Sequence, residues 1–88
     1  MPSDSAPGAI TEEVARLIRE ERLRQAFSMS GVASGAGLSQ QMVSYVERGM
    51  RQPTLDTLLR ICGVLNIPLW TLIKQAEEQV AGIKKPKS

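Results

Sequence analysis

Residues 28–49, SMSGVASGAGLSQQMVSYVERG, constrain this chain more than any other stretch, because they set one glycine between two short helical patterns. A sharp break between helices calls for a residue that tolerates positive φ, and Gly37 within Ala36-Gly37-Leu38 does so without steric cost. Ser39 then offers a hydroxyl to N-cap the helix that follows. Along that helix Val43, Val46, Glu47 and Met50 fall on one face, while Gln41, Tyr45 and Arg48 gather near the opposite pole with Ser44 at its edge. An apolar back and a front of amides and hydroxyls suit a helix that reads base edges.

At 88 residues the chain is one small domain, long enough for a compact helical core. Trp, Tyr and Phe occur once each, so that core must be aliphatic. Cys62 is the only cysteine, which excludes an intramolecular disulfide framework and fits a reducing compartment. Histidine is absent, and with one cysteine this removes the usual zinc sites and the histidine-dependent nucleophile arrangements. No metal, cofactor or catalytic constellation is expected. No apolar run approaches the roughly 20 residues that span a bilayer, and Met1 to Ile10 lacks the basic start and apolar segment of a secretion signal. A cytoplasmic location is therefore expected.

The formal net charge is +2. With Lys84, Lys85 and Lys87 of the tail and Asp4 of the N-terminus set aside, basic and acidic residues balance, so the body is neutral. Phosphate contacts need only local charge, and Arg22, Arg24, Arg48 and Arg51 are placed near helix ends where a local basic face could form.

Residues 1–10, rich in Pro, Ser, Gly and Ala, read as a flexible N-terminal arm without Lys or Arg. Thr11 is expected to cap the first helix, with Glu12 and Glu13 in its first turn. Val14, Leu17 and Ile18 start its buried row, and the next place on that row is Arg22. Glu47 occupies an equally apolar position on the third helix. A charge there must either snorkel to water or find a partner; Arg22 and Glu47 are expected to form an ion pair locking the first helix to the third, the alternative being two side chains that reach solvent. The second helix, Met29 to Gly35, is weak by propensity because Gly31 and Gly35 each cost about 1 kcal/mol relative to alanine. It must be held by packing of Val32 and Ala33.

After a loop from Met50 to Pro53, Thr54 caps a fourth helix whose apolar face reads Leu55, Leu58, Leu59, Cys62 and Leu65. Asn66 ends it, and Pro68 is tolerated in the opening turn of a fifth. There Leu69, Leu72, Ile73, Ala76, Val80 and Ile83 form one stripe that outruns the expected four-helix core. A homodimer interface built from Leu69, Trp70, Ile73, Ala76, Val80 and Ile83 is the expected use of it.

The spacing of Ala33, Gly37, Val43 and Val46, with GLSQ at 37–40, ERG at 47–49 and PTLDTLLRI at 53–61, resembles the helix-turn-helix domains of phage repressor and Cro proteins, the XRE family. The likeness needs no gap and covers about residues 11–73. It implies an all-α, five-helix, lambda-repressor-like bundle, here with an extended C-terminal helix, whose third helix enters the major groove of DNA. By the resemblance Gln40, Gln41, Ser44 and Tyr45 fall at or beside base-reading positions, and Arg51 and Thr54 where phosphates are touched. Arg48 joins that phosphate set. Where most members open the second helix with a phosphate-gripping glutamine this chain has Met29, and Ser28 or Ser30 is the substitute. Glutamine chemistry agrees, since its amide offers a donor and an acceptor to the N7 and N6 edge of adenine.

The domain organisation read here is an arm over 1–10, a DNA-binding domain over 11–83 with the helix-turn-helix at 29–48, and a basic tail over 84–88. The expected function is sequence-specific binding of double-stranded DNA by a dimeric transcriptional regulator. A protein-interaction module on the same fold, an antitoxin or adaptor that uses the fifth-helix stripe, is the alternative.

Overall fold

The computed structural model describes residues 6–50 and 52–84. Five helices, with no strand among the described residues, follow the order α1 Ala6–Arg24, α2 Met29–Ala36, α3 Gln40–Glu47, α4 Leu55–Leu65 and α5 Leu69–Lys84. Val14, Ile18, Val32, Ala33, Val43, Val46, Ile61, Cys62, Leu65, Leu69, Leu72 and Ala76 form one core cluster to which every helix contributes.

α1 starts five residues before the expected cap. Thr11 lies inside the helix, where its hydroxyl donates to the Pro7 carbonyl at 2.8 Å, and Glu12 and Glu13 are not in the first turn. Proline at the start of a helix has its φ already set and loses an N–H that would have had no partner. Residues 6–10 are thus helix and not arm.

The α5 stripe is largely taken up within the chain itself. α1 packs on α5 more extensively than any other two helices pack, and the two run antiparallel, with Leu17 beside Gln75 and Glu78, and Glu13 and Arg16 beside Gln79 and Val80. Leu69, Leu72 and Ala76 are buried. Leu69 and Ala76 therefore offer no surface to a partner copy, because they are buried in this chain's own core. Ile73 and Val80 are half-buried, Trp70 is 64% exposed, and the side chain of Ile83 lies outside the described residues.

α1 ends with Ala26 at φ 61°, the left-handed region. The Phe27 N–H returns to the Arg22 carbonyl and the Ala26 N–H to that of Leu23, both at 3.0 Å, the bonding that closes a helix through a left-handed residue. An L-side chain in that conformation costs about 1–2 kcal/mol, which glycine escapes at some cost in unfolded-chain entropy. Ala26→Gly should accordingly raise stability by about 0.5–1 kcal/mol, read as a rise in the thermal midpoint of a few degrees; an unchanged or lower midpoint counts against the strain.

α2 is held from outside itself, as its composition requires. Ser28 caps it by accepting from the Gly31 N–H at 2.9 Å. Gly35 is more than a weak helix former here: a Cβ at this position would lie 3.0 Å from Val64 Cγ2. Valine is stiff at χ1, so glycine is what lets α2 lie this close to α4.

On α4 the buried side differs from the expected one. Ile61 is fully buried beside Cys62 and Leu65, and Leu58 is partly buried, whereas Leu55 and Leu59 are 62% and 52% exposed. Burial pushes the Cys62 thiol up to about 11, so it stays protonated and inert at neutral pH. Asn66 closes α4 at φ 58°. The chain then turns by 108° into α5, where the Pro68 carbonyl accepts from both the backbone and the hydroxyl of Thr71. Gln25 ties this corner to α1 by donating to the Leu65 carbonyl at 2.8 Å. Among the described residues no single helix is long and apolar enough to cross a membrane.

Candidate nucleic-acid interface

The turn between α2 and α3 closes as its glycine demands. Gly37 sits at φ 71° and ψ 33°, and the Leu38 N–H donates to the Ala33 carbonyl at 2.9 Å. Ser39 then accepts from the Met42 N–H at 3.0 Å and starts α3. Val43 and Val46 are buried on the back of α3. Met50, expected on that same face, lies beyond the helix end and is 58% exposed, because α3 stops at Glu47 before its row reaches position 50.

Glu47 and Arg22 meet as expected. Arg22 Nε donates to Glu47 Oε2 at 2.6 Å and Nη2 to Oε1 at 3.0 Å, a two-pronged pair, while Nη1 donates to the Phe27 carbonyl at 2.8 Å. Both residues are 6% exposed. The pair joins α1 to the C-terminal end of α3 and so fixes the angle at which α3 leaves the core.

On the outer side of α3, Gln40, Gln41 and Arg48 are exposed and Ser44 and Tyr45 half-buried. Gln41 Nε2 donates to Tyr45 Oη at 2.8 Å across one helical turn. The proposed phosphate ligands are more divided. Ser30 is exposed, and so is Ser28, whose oxygen accepts as the α2 cap without using the hydroxyl proton. Thr54 caps α4 by accepting from the Thr57 N–H and spends its own proton on Thr57 Oγ1 at 3.0 Å. Arg51 lies outside the described residues.

Charge adds a second observation. Arg16, Arg24, Arg60 and Lys74 are each engaged by carboxylates one turn away on their own helix. Among the described residues this leaves Arg19 and Arg48 as guanidinium groups without a carboxylate, and both border one shallow cleft between α1 and the end of α3. Such groups remain able to meet an anion.

Arg60 went unnoticed in the sequence. Its Nη1 donates to the Ala36 carbonyl at 3.3 Å, so α4 reaches over and satisfies the C-terminal end of α2 beside the Gly37 turn. Asp56, one turn earlier, steadies it from Oδ2 at 2.7 Å. The i,i+4 spacing of Asp56 and Arg60 was available in the sequence, but the reach to another helix was not.

Residues 18–69 match the Helix-turn-helix family model. The chain is 31% identical over 72 residues to the transcriptional regulator ClgR of Mycobacterium tuberculosis, covering 82% of this chain but only 64% of that protein. It is 36% identical over 70 residues to the uncharacterized HTH-type transcriptional regulator y4dJ of Sinorhizobium fredii, 80% of this chain and 86% of the other. Among solved structures it is similar to the restriction-modification controller protein C.AhdI from Aeromonas hydrophila, at 28% identity and a TM-score of 0.66 over 72% of this chain and 94% of that one. With a buried-backed α3 set behind a left-handed glycine turn, and a family match across more than half its length, the chain belongs to the XRE-type helix-turn-helix family.

Proposed function

We propose that this protein binds double-stranded DNA at specific sequences as a transcriptional regulator, with α3 in the major groove and no catalytic step of its own. The observation that carries the reading is the division of α3. Val43, Val46 and Glu47 anchor its back, leaving Gln40, Gln41 and Arg48 exposed on its front. The regulator names of ClgR and y4dJ support the same reading. Action on DNA would place the protein in the cytoplasm.

A homodimer follows from the same proposal, since helix-turn-helix dimers read two half-sites about one helical turn, roughly 34–36 Å, apart. Of the large apolar side chains exposed among the described residues, Leu23, Met50, Leu55, Leu59 and Trp70, those on α4 and at the head of α5, Leu55, Leu59 and Trp70, are the ones proposed to meet a partner copy, in place of the α5 stripe. The antitoxin or adaptor alternative drew on that stripe, and α1 now covers much of it.

Selection from a random duplex pool tests both parts, followed by titration of the selected and an unrelated duplex across a salt series. A pseudo-palindrome should emerge. Gln41→Ala should lower affinity for it by about 1–3 kcal/mol and leave the unrelated duplex unaffected. Arg48→Ala should weaken both and flatten the salt slope by about one unit. Enrichment of no sequence would sink the DNA reading, and a lone unrepeated site would sink the dimer.

A further inference from the structure

Among the described residues, the two arginines that no carboxylate neutralises border the same cleft. Arg16 is held by Glu13 and Glu20, Arg24 by Glu21, Arg60 by Asp56 and Lys74 by Glu78. Arg19 has no such neighbour, since the positions three and four away on α1 are Ala15, Arg16, Arg22 and Leu23. Two of those are themselves arginines, and like charges at neighbouring places on a helix repel. A cation that nothing on its own chain neutralises stays available to an anion from outside.

The Arg22–Glu47 pair decides where Arg19 lies. By tying α1 to the last residue of α3, it brings the turn before Arg22, which carries Arg19, toward Arg48, the residue after Glu47. Both Arg19 and Arg48 are exposed, and both border a cleft of about 240 Å³ between α1 and the end of α3. That is below the roughly 300–1,000 Å³ of sites for small organic molecules. The carboxylates in the cleft do not serve as counter-ions to these two. Glu47 spends both oxygens on Arg22, and Glu12 lies two turns from Arg19, about 10 Å along the axis, beside Gly49.

We propose that α1 forms part of the DNA-contacting surface, with Arg19 taking a backbone phosphate next along the strand to the one that Arg48 takes. The inference rests on the DNA reading given above. A guanidinium fork meets phosphate oxygens two at a time, and two such forks along one cleft suit successive phosphates of a single strand. Phosphate contacts fix how a protein sits on the duplex without reading its sequence. Because Arg19 and Arg48 stand on helices joined by a buried pair, gripping both phosphates holds α3 at one depth and tilt in the groove. Arg19 lies outside the helix-turn-helix, and only the fold brings it there.

Affinity for the selected duplex and for an unrelated one, measured across a salt series, tests the proposal. Arg19→Gln should weaken both on the order of fivefold to tenfold at about 0.1 M salt and flatten both salt slopes by about 0.9. The preference for the selected duplex should stay as it is. Arg19→Lys keeps the charge and should restore the slope. Lys74→Gln removes the same charge from α5, which packs on α1 and α4, and should leave the slope unchanged. Uncharged methylphosphonates placed one at a time along the selected duplex locate the contact. One position should weaken binding by the unmodified protein and not by Arg19→Gln, and its neighbour on the same strand should behave so for Arg48→Ala.

An unchanged slope in Arg19→Gln overturns the proposal while leaving the DNA reading in place. So does an equal loss in Lys74→Gln, which would show only the protein's net charge at work, or a slope that Arg19→Lys fails to restore. A loss confined to the selected duplex would mean that Arg19 reads a base, and sensitive phosphates that are not neighbours would mean that the arginines share no strand; either refutes it. Inorganic phosphate should displace DNA no better than chloride at equal ionic strength. Selective displacement that Arg19→Gln abolishes would assign the cleft to free phosphate instead. Failure of the unmodified protein to prefer any sequence defeats the DNA reading itself, and the proposal falls with it.

Discussion

Arg22→Ala should lower the stability of the fold by about 3–5 kcal/mol, the loss typical when one member of a buried ion pair is removed. The substitution leaves the Glu47 carboxylate, whose side chain is 1% exposed, without its two-pronged partner, and also strips the donor from the Phe27 carbonyl. For a domain of this size each kcal/mol corresponds to about 4–8 °C in the thermal midpoint, so a fall of at least about 12 °C is expected by circular dichroism. A fall of only a few degrees would mean that Glu47 finds water or another donor, and the pair would not be what locks α1 to α3. Arg22→Lys should recover little, because an ammonium cannot reproduce the fork that meets Oε1 and Oε2 together. Replacing both partners, Arg22→Met with Glu47→Leu, should recover most of the loss, since it removes the unpaired charge along with the pair.

That pair was legible in the sequence for a simple reason. Each member sits where helical spacing demands an apolar residue, and a charge in such a place must find its opposite. The helix-turn-helix itself was legible for reasons as local: Gly37 for a left-handed turn, and Ser39 and Thr54 for caps whose backbone partners lie three residues ahead. What sequence spacing could not supply is which helix covers which. Pro7 and Gly8 look like the composition of an arm, yet they open α1. α1 lies along α5 through Glu13, Arg16 and Leu17, so an apolar face read as an invitation to a partner copy meets this chain's own first helix. The reach of Arg60 to the Ala36 carbonyl and of Gln25 to that of Leu65 is likewise tertiary, joining residues 24 and 40 positions apart.

The sharpest test of that distinction is on α4, where two apolar side chains two residues apart should behave oppositely. Periodicity drew the buried face through Leu55 and Leu59, four residues apart. The fold rotates it toward Ile61, which is 0% exposed while Leu59 is 52% exposed. Ile61→Ala removes a side chain from the centre of the cluster that includes Val32, Val43, Cys62 and Leu65, and should cost about 2–5 kcal/mol, the transfer of the lost methyl groups plus the cavity left behind. Leu59→Ala trims a side chain that already faces water. It should change monomer stability by no more than about 0.5 kcal/mol. Urea unfolding at low micromolar concentration measures both, and equal costs would show that α4 is turned differently in solution. Leu59 carries a further expectation because it is exposed on the face proposed for dimerisation. Its substitution should become costly only as protein concentration rises, since a residue buried between copies stabilises by mass action, whereas the penalty at Ile61 should be the same at every concentration.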